Sequence, residues 1–290
     1  VTIAEASSAP RIERDFSARL LGSRLGTTLV LAGYAMIAIG PLLLVLNNSF
    51  RQTRDIYATP LGLPTLEGLG NFATAWTRAS FSTFFFNSVL VTAGALILGV
   101  GSATLAGYAL GRFRFPGRQA LSALFLAGML LPIQLGVVPI FYLLQSMRLV
   151  DTHLGLILVY AAHTLPISIL LLSVFFRQLP DELEEAARLD GAGRFRIFFS
   201  VMLPLVRPAL ATVIVVQCAP IWNDFFYPLV LLRSSENYTL PVGLTAFMGQ
   251  YQSDYGALFA ALVIVSAPII LLFVLATRHV VAGLTAGVGK

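Results

Sequence analysis

Charge is scarce along this chain, and that scarcity limits what the chain can fold into. Only 11% of its 290 residues are Asp, Glu, Lys or Arg, against 57% that are hydrophobic. An ordinary soluble domain carries about a quarter charged residues, because its surface must face water. Nineteen basic and fourteen acidic side chains cannot coat a compact protein of this size. With a mean hydropathy of +0.82 the chain reads as an all-α, polytopic membrane protein, and a soluble enzyme is all but excluded. Cys218 is the only cysteine, which leaves no internal disulfide and no Cys-based metal site. Three scattered histidines and that cysteine supply no catalytic cluster.

A helix crossing the hydrocarbon core takes about 20 mostly apolar residues. Six stretches meet that length: Thr27 to Leu46, Asn87 to Leu110, Ala120 to Leu144, Leu154 to Phe176, Pro208 to Leu232 and Leu258 to Val281. The first is too long for a cleaved signal peptide and lacks a clear small-residue cleavage site, so it reads as an uncleaved helix. Gly94, Gly99, Gly101, Ser102 and Gly107 run along the second. Pro41, Pro132, Pro139, Pro166, Pro220, Pro228 and Pro268 fall inside spans and predict bent helices around a cavity. No internal repeat accompanies them, unlike in many secondary carriers.

Loops facing the cytoplasm are enriched in Lys and Arg. Arg11, Arg14, Arg19 and Arg24 precede the first span, and Arg112, Arg114 and Arg118 follow the second. Arg177, Arg188, Arg194, Arg196 and Arg207 follow the fourth, and the C-terminus has Arg278 and Lys290. Only Arg51, Arg54, Arg78, Arg148 and Arg233 fall on the other side. Both termini are therefore predicted to be cytoplasmic, with residues 1–26 as an N-terminal arm and residues 27–290 as one six-helix domain. The pI of about 9.7 is then a topology signal and not a nucleic-acid patch.

The loop 177–208 is the longest on the predicted inner side, and it holds five of the fourteen acids. Asp181 and Glu184 have the spacing of a reciprocal capping box at a helix start. Ala186, Ala187 and Leu189 continue a short helix, and Asp190-Gly191 stops it, with glycine free to adopt the left-handed conformation. A second amphipathic piece, Arg194 to Leu203, leads to Pro204 and Pro208. Small side chains would let the first helix sit close inside a partner's groove while charges at the rim set its register. The alternative is a solvated helix that merely joins two spans.

Glu185-Ala186-Ala187, three residues, Gly191, nine residues and Val201-Met202-Leu203-Pro204 resembles the EAA loop of ABC-importer permeases, with Val201 in place of the usual isoleucine. The run from Glu182 to Val213 is similar to the carbohydrate branch, the relatives of the smaller permease subunit of the maltose importer. Asn87-Ser88, Gly107 to Arg118, Trp222 to Leu232, Thr239 to Leu244 and the glycine-rich end fit the same family in the same order. The resemblance implies a six-helix subunit of a type I importer in the bacterial inner membrane. Its implied partners are a second, homologous permease, two cytoplasmic ATP-binding subunits, an external sugar-binding protein and membrane lipid. Glu185, Ala186, Ala187, Asp190, Gly191 and Pro204 would then form the ATPase-coupling segment, and the C-terminal tail would lie near the ATPases. No phosphate-binding loop of the Gly-x-x-x-x-Gly-Lys-Ser/Thr type is present, so ATP and Mg²⁺ would be bound by the partner subunits and no cofactor by this chain.

Asp224 is the one acid inside a predicted span, beside Asn223 and among Trp222, Phe225, Phe226 and Tyr227. Intramembrane ionisable groups are costly and are functional candidates by default. Asn223, Asp224, Gln134 and Gln217 are the candidate substrate-pathway residues, with His163 a further inward group. The competing reading is that Asp224 fixes helix packing and that the glutamines bond neighbouring helices. Two rival functions stay open: an ABC permease for a non-sugar solute, and an ion-coupled carrier using Asp224.

Overall fold

The computed structural model describes residues 11–77, 80–130, 132–247 and 254–288. Residues 1–10, Arg78 and Lys290 lie outside these, as do the side chains of Arg11, Arg14, Arg19, Arg24 and Arg278. Regular structure among the described residues is entirely helical. The order is α1 (Arg11–Ser49), α2 (Thr53–Ala58), α3 (Gly70–Thr77), α4 (Phe81–Arg112), α5 (Arg118–Leu130), α6 (Val137–Ser146) and α7 (His153–Gln178). Then come α8 (Glu182–Leu189), α9 (Arg194–Ile197), a π-helical turn at Phe198–Met202, α10 (Leu203–Leu205), α11 (Arg207–Asn223), α12 (Phe226–Leu231), α13 (Leu240–Gly243) and α14 (Tyr255–Val288).

Helices α4 and α7 pack along their length, and the small residues of α4 allow it. A Cβ on Gly99 would lie 2.9 Å from the Ala161 carbonyl oxygen and 3.0 Å from the Ala161 Cα, so only glycine permits this approach. Gly94, Gly107 and Gly111 face Ile157, Leu172 and Phe176 of the same partner. Gly101 points into open space, so the five small residues do not form a single seam. Around this pair sit three apolar clusters. One joins Tyr108, Phe176, Phe198 and Met202 near α8. A second joins Val91, Leu156, Tyr160, Ile221 and Tyr227, and a third joins Phe81, Phe84, Trp222, Leu240 and Ala257.

Two of the six expected spans are not single helices. Four stretches are long and apolar enough to cross a membrane in one piece: Gly26–Ser49 within α1, then α4, α7 and Tyr255–Leu275 within α14. The stretch Ala120 to Leu144 is instead α5 and a second segment at 92° to it. Pro132 stands at the junction in an extended conformation, having no N–H to continue the α5 ladder. The stretch Pro208 to Leu232 breaks after Asn223, where Asp224 is extended. Upstream, the segment Arg194–Leu205 meets α11 at 72°, so each bent pair can count as one span and bring the total to six. Pro41, Pro166, Pro220 and Pro268 lie within continuous helices.

At the end of the bundle opposite α8, polar side chains tie the connections together. Asn87 donates to the Glu236 and Tyr238 carbonyls at 2.7 and 3.0 Å, and the Ser88 hydroxyl accepts from the Leu240 N–H at 2.8 Å. The Asn87-Ser88 motif is thus joined to Leu240 of the motif 239–244 and to the turn just before it, about 150 positions away. Arg51, 2% exposed, donates to the Asn48 side chain and to the Asp55, Thr59 and Pro60 carbonyls, closing the turn after α1. Asp151 receives hydrogen bonds from the Ser234 hydroxyl, the Arg233 and Ser234 N–H groups and the Asn237 amide. Burial alone would raise this carboxyl, but those donors outweigh it and hold its pKa far below the usual carboxylate range.

Gly99→Ala should therefore cost about 1–3 kcal/mol by overpacking, read as a lower thermal midpoint in detergent. Gly101→Ala, two residues away with open space above it, should leave the midpoint unchanged or slightly raised. Asp151 contributes stability while ionised, and that contribution falls away as pH drops below the ordinary carboxylate value of about 4. Asp151→Asn should lower the midpoint at pH 7 and shrink the loss of stability seen in the wild type between about pH 5 and pH 3.

Candidate functional site

The loop 177–208 is a built structure. Helix α7 ends where Leu179, before Pro180, turns extended. The expected capping box does not form: Asp181 makes no cap bond, and its carboxylate lies 2.6 Å from the Arg112 guanidinium. Glu184 turns inward to the same arginine, at 2.8 Å, with both side chains only 6% exposed. The guanidinium draws these carboxylates away from the backbone donors because it adds an opposite full charge to the hydrogen bond, which an N–H lacks.

The stop at Gly191 forms as expected. Gly191 has φ +77°, and its N–H donates to the Arg188 carbonyl while the Ala192 N–H donates to the Ala187 carbonyl. That pair of bonds is a Schellman closure. Successive helix positions are about 100° apart, so neighbours in sequence face different ways. Glu185 and Ala186 are exposed, whereas Ala187 is half-buried against the Tyr108–Phe176 cluster. Asp190, the last cap position, is exposed, and Pro204 is half-buried in the first turn of α10. Leu189 and Phe195 stand 89% and 83% exposed, large apolar side chains on a polar loop. Arg194 lies over the Phe113 ring at 6.0 Å. The outer face of the loop thus sets Leu189 and Phe195 among exposed charges, with Glu185 beside the small Ala186.

The intramembrane candidates do not converge on one point. The Asp224 carboxylate accepts the Tyr160 hydroxyl at 2.7 Å and the Phe226 and Tyr227 N–H groups at 3.0 and 3.3 Å. It therefore caps α12 and ties that helix to α7. Asn223 is exposed at the end of α11, and Gln134 is exposed in the turn between α5 and α6. Gln217 is buried and donates to the Ser168 hydroxyl at 3.1 Å and the Thr164 carbonyl at 3.3 Å. A cleft of about 820 Å³ opens between α5, α6, α7 and α11, lined mainly by apolar side chains with His163 and Gln217 as its polar exceptions. Of the four candidates, Gln217 alone lines it. Sequence reasoning passed over Tyr108, Arg112 and Glu184 as functional residues. Their partners are 72 and 76 positions apart, and no local pattern signals such a pairing.

Residues 103–285 match the family described as the binding-protein-dependent transport system inner membrane component. The chain is 40% identical over 256 residues to the diacetylchitobiose uptake system permease protein NgcG of Streptomyces coelicolor, covering 88% of this chain and 85% of that one. It is 37% identical over 268 residues to the arabinooligosaccharides transport system permease protein AraQ of Halalkalibacterium halodurans, covering 90% and 94%. In fold it is similar to a chain of a bacterial ABC transporter that imports the acidic polysaccharide alginate, with a TM-score of 0.79 over 94% of this chain and 99% of that chain at 23% identity. The helical order, the loop around α8 and these likenesses agree: the chain belongs to the inner membrane components of binding-protein-dependent transport systems.

Proposed function

We propose that this chain is the transmembrane permease subunit of an ATP-driven sugar importer, forming half of the pathway beside a second, homologous permease. Both termini and α8 face the cytoplasm in this reading. Two ATP-binding subunits, carrying ATP and Mg²⁺, dock against the loop 177–208, and an external binding protein delivers the solute. The observation that carries it is the outer face of α8: Glu185 and Ala186 exposed beside Leu189, on a helix closed by Gly191. An exposed leucine and phenylalanine on so polar a loop call for a covering partner, and Glu185 supplies the charge that orients it. Sugar as the cargo is supported by the saccharides named for the relatives NgcG and AraQ. Hydrolysis stays with the ATP-binding subunits, and this chain supplies the path and the docking surface. Along that path Gln217 faces the cleft and Asn223 the open end of α11. Gln134 belongs to the α5–α6 turn, and Asp224 holds the break that shapes the α11–α12 corner.

Glu185→Arg should leave membrane insertion intact while the ATP-binding subunits are lost on purification and ATP-driven uptake collapses; retained subunits and normal uptake would refute the docking surface. Asp224→Ala should lower both the thermal midpoint and uptake. Asp224→Asn, which still accepts the Tyr160 hydroxyl, should keep most of both. A folded Asp224→Asn protein without uptake would instead place the charge on the solute's path.

A further inference from the structure

Glu184 and Glu185 are adjacent, identical in chemistry and opposite in placement. Glu185 is exposed, while Glu184 is 4% exposed and closed off from water. One Glu184 oxygen accepts from Arg112 Nε at 2.8 Å and from the Tyr108 hydroxyl at 3.3 Å, and the other accepts from Arg188 at 3.0 Å. The Arg112 guanidinium spends each nitrogen on a different element. Nε reaches Glu184 inside α8, one Nη reaches Asp181 just before α8 at 2.6 Å, and the other donates to the Leu179 carbonyl at the end of α7 at 2.8 Å. Arg112 is itself the last residue of α4. A single planar fork thus binds the ends of α4 and α7 to the start of α8.

Beyond the fork, α8 packs mainly on the π-helical turn and α9 that follow it, rather than on α4 or α7. Its apolar seat is Ala187 against the Tyr108–Phe176 cluster, while Leu189 points outward. On its far side the chain leaves through Gly191 at φ +77° and an extended Gly193, a joint whose one bracing side chain is the methyl of Ala192. A push on α8 would be absorbed at that joint unless the other end were fixed. We infer that Arg112 and Glu184 are the positioning residues of the drive: they fix α8 to the α4–α7 pair so that a displacement imposed on α8 moves those two helices as one body. This rests on the reading that the ATP-binding subunits dock on α8, and it adds which residues carry the movement inward. A lysine at 112 would keep the charge but could not reach three acceptors on three segments at once.

The test uses the complete importer, purified with its ATP-binding subunits, partner permease and binding protein, and reconstituted into liposomes. The quantity read is solute taken up per ATP hydrolysed, measured beside subunit retention. Glu184→Gln and Arg112→Lys should assemble and keep hydrolysis stimulated by the binding protein, while uptake per ATP falls by about tenfold, because the charge balance is nearly kept but the fork is broken. Arg114→Lys, exposed and outside both the fork and the loop 177–208, should match the wild type. An unchanged ratio in both fork variants, or uptake and hydrolysis falling in parallel, would overturn the proposal. Arg112→Lys keeps the buried carboxylate paired, so it remains informative if Glu184→Gln does not assemble; failure of both to assemble would make the fork a folding element only and equally overturn it. Failure of the docking reading shows separately, as full retention of the ATP-binding subunits by Glu185→Arg.

Discussion

A chain in hydrocarbon has no water to satisfy its backbone, so every N–H and C=O must find a partner within the protein. Long helices meet this requirement by themselves, and four of the spans are simply that. The constraint becomes visible where helices stop. The break between α11 and α12 is covered by Asp224, which accepts the freed N–H groups of Phe226 and Tyr227. The turn between α5 and α6 receives the Tyr227 hydroxyl on the Ile133 carbonyl at 2.7 Å. The carbonyl of Leu179, at the end of α7, receives Arg112, and the carbonyls after α12 receive Asn87. Several of the rare polar side chains are thus spent where the backbone is not α-helical.

The Arg112–Glu184 pair follows the same logic at higher stakes. Taking two charges out of water costs several kcal/mol each, and their attraction offsets this only when geometry and further hydrogen bonds are good. Here the further bonds exist, from Tyr108 and Arg188 to the carboxylate and to Leu179 and Asp181 from the guanidinium. Such a pair adds little net stability over a well-packed apolar replacement, and its value lies in defining one position for α8. A purely apolar seat built on Ala187 would allow sliding, whereas a three-pronged fork does not.

Legibility in the sequence followed the range of the interaction. The spans were readable because a helix is a local object with a known length. The stop at Gly191 was readable because a Schellman closure involves residues 187 to 192 alone. The predicted capping box was also local, and it failed because a charged group from 72 positions away outcompeted the backbone N–H for Glu184. Pro132 marked the α5–α6 break in the sequence, but prolines 41, 166, 220 and 268 looked the same and sit in unbroken helices. A proline shows where a helix can bend, and the neighbours decide whether it does.

The sequence by itself determined the class of protein, the approximate number of crossings and the closure of α8 at Gly191. These depend on hydropathy summed over about 20 residues and on short-range backbone geometry. Only the tertiary structure decided which of two adjacent glutamates faces outward, which candidates along the membrane face a common cleft, and what holds α8 to the bundle. Those outcomes depend on which side chains meet across 50 to 150 positions, as Gln217 meets Ser168 and Ser88 meets Leu240. Hydropathy says that a group will be buried; only the fold supplies the partner that makes its burial tolerable.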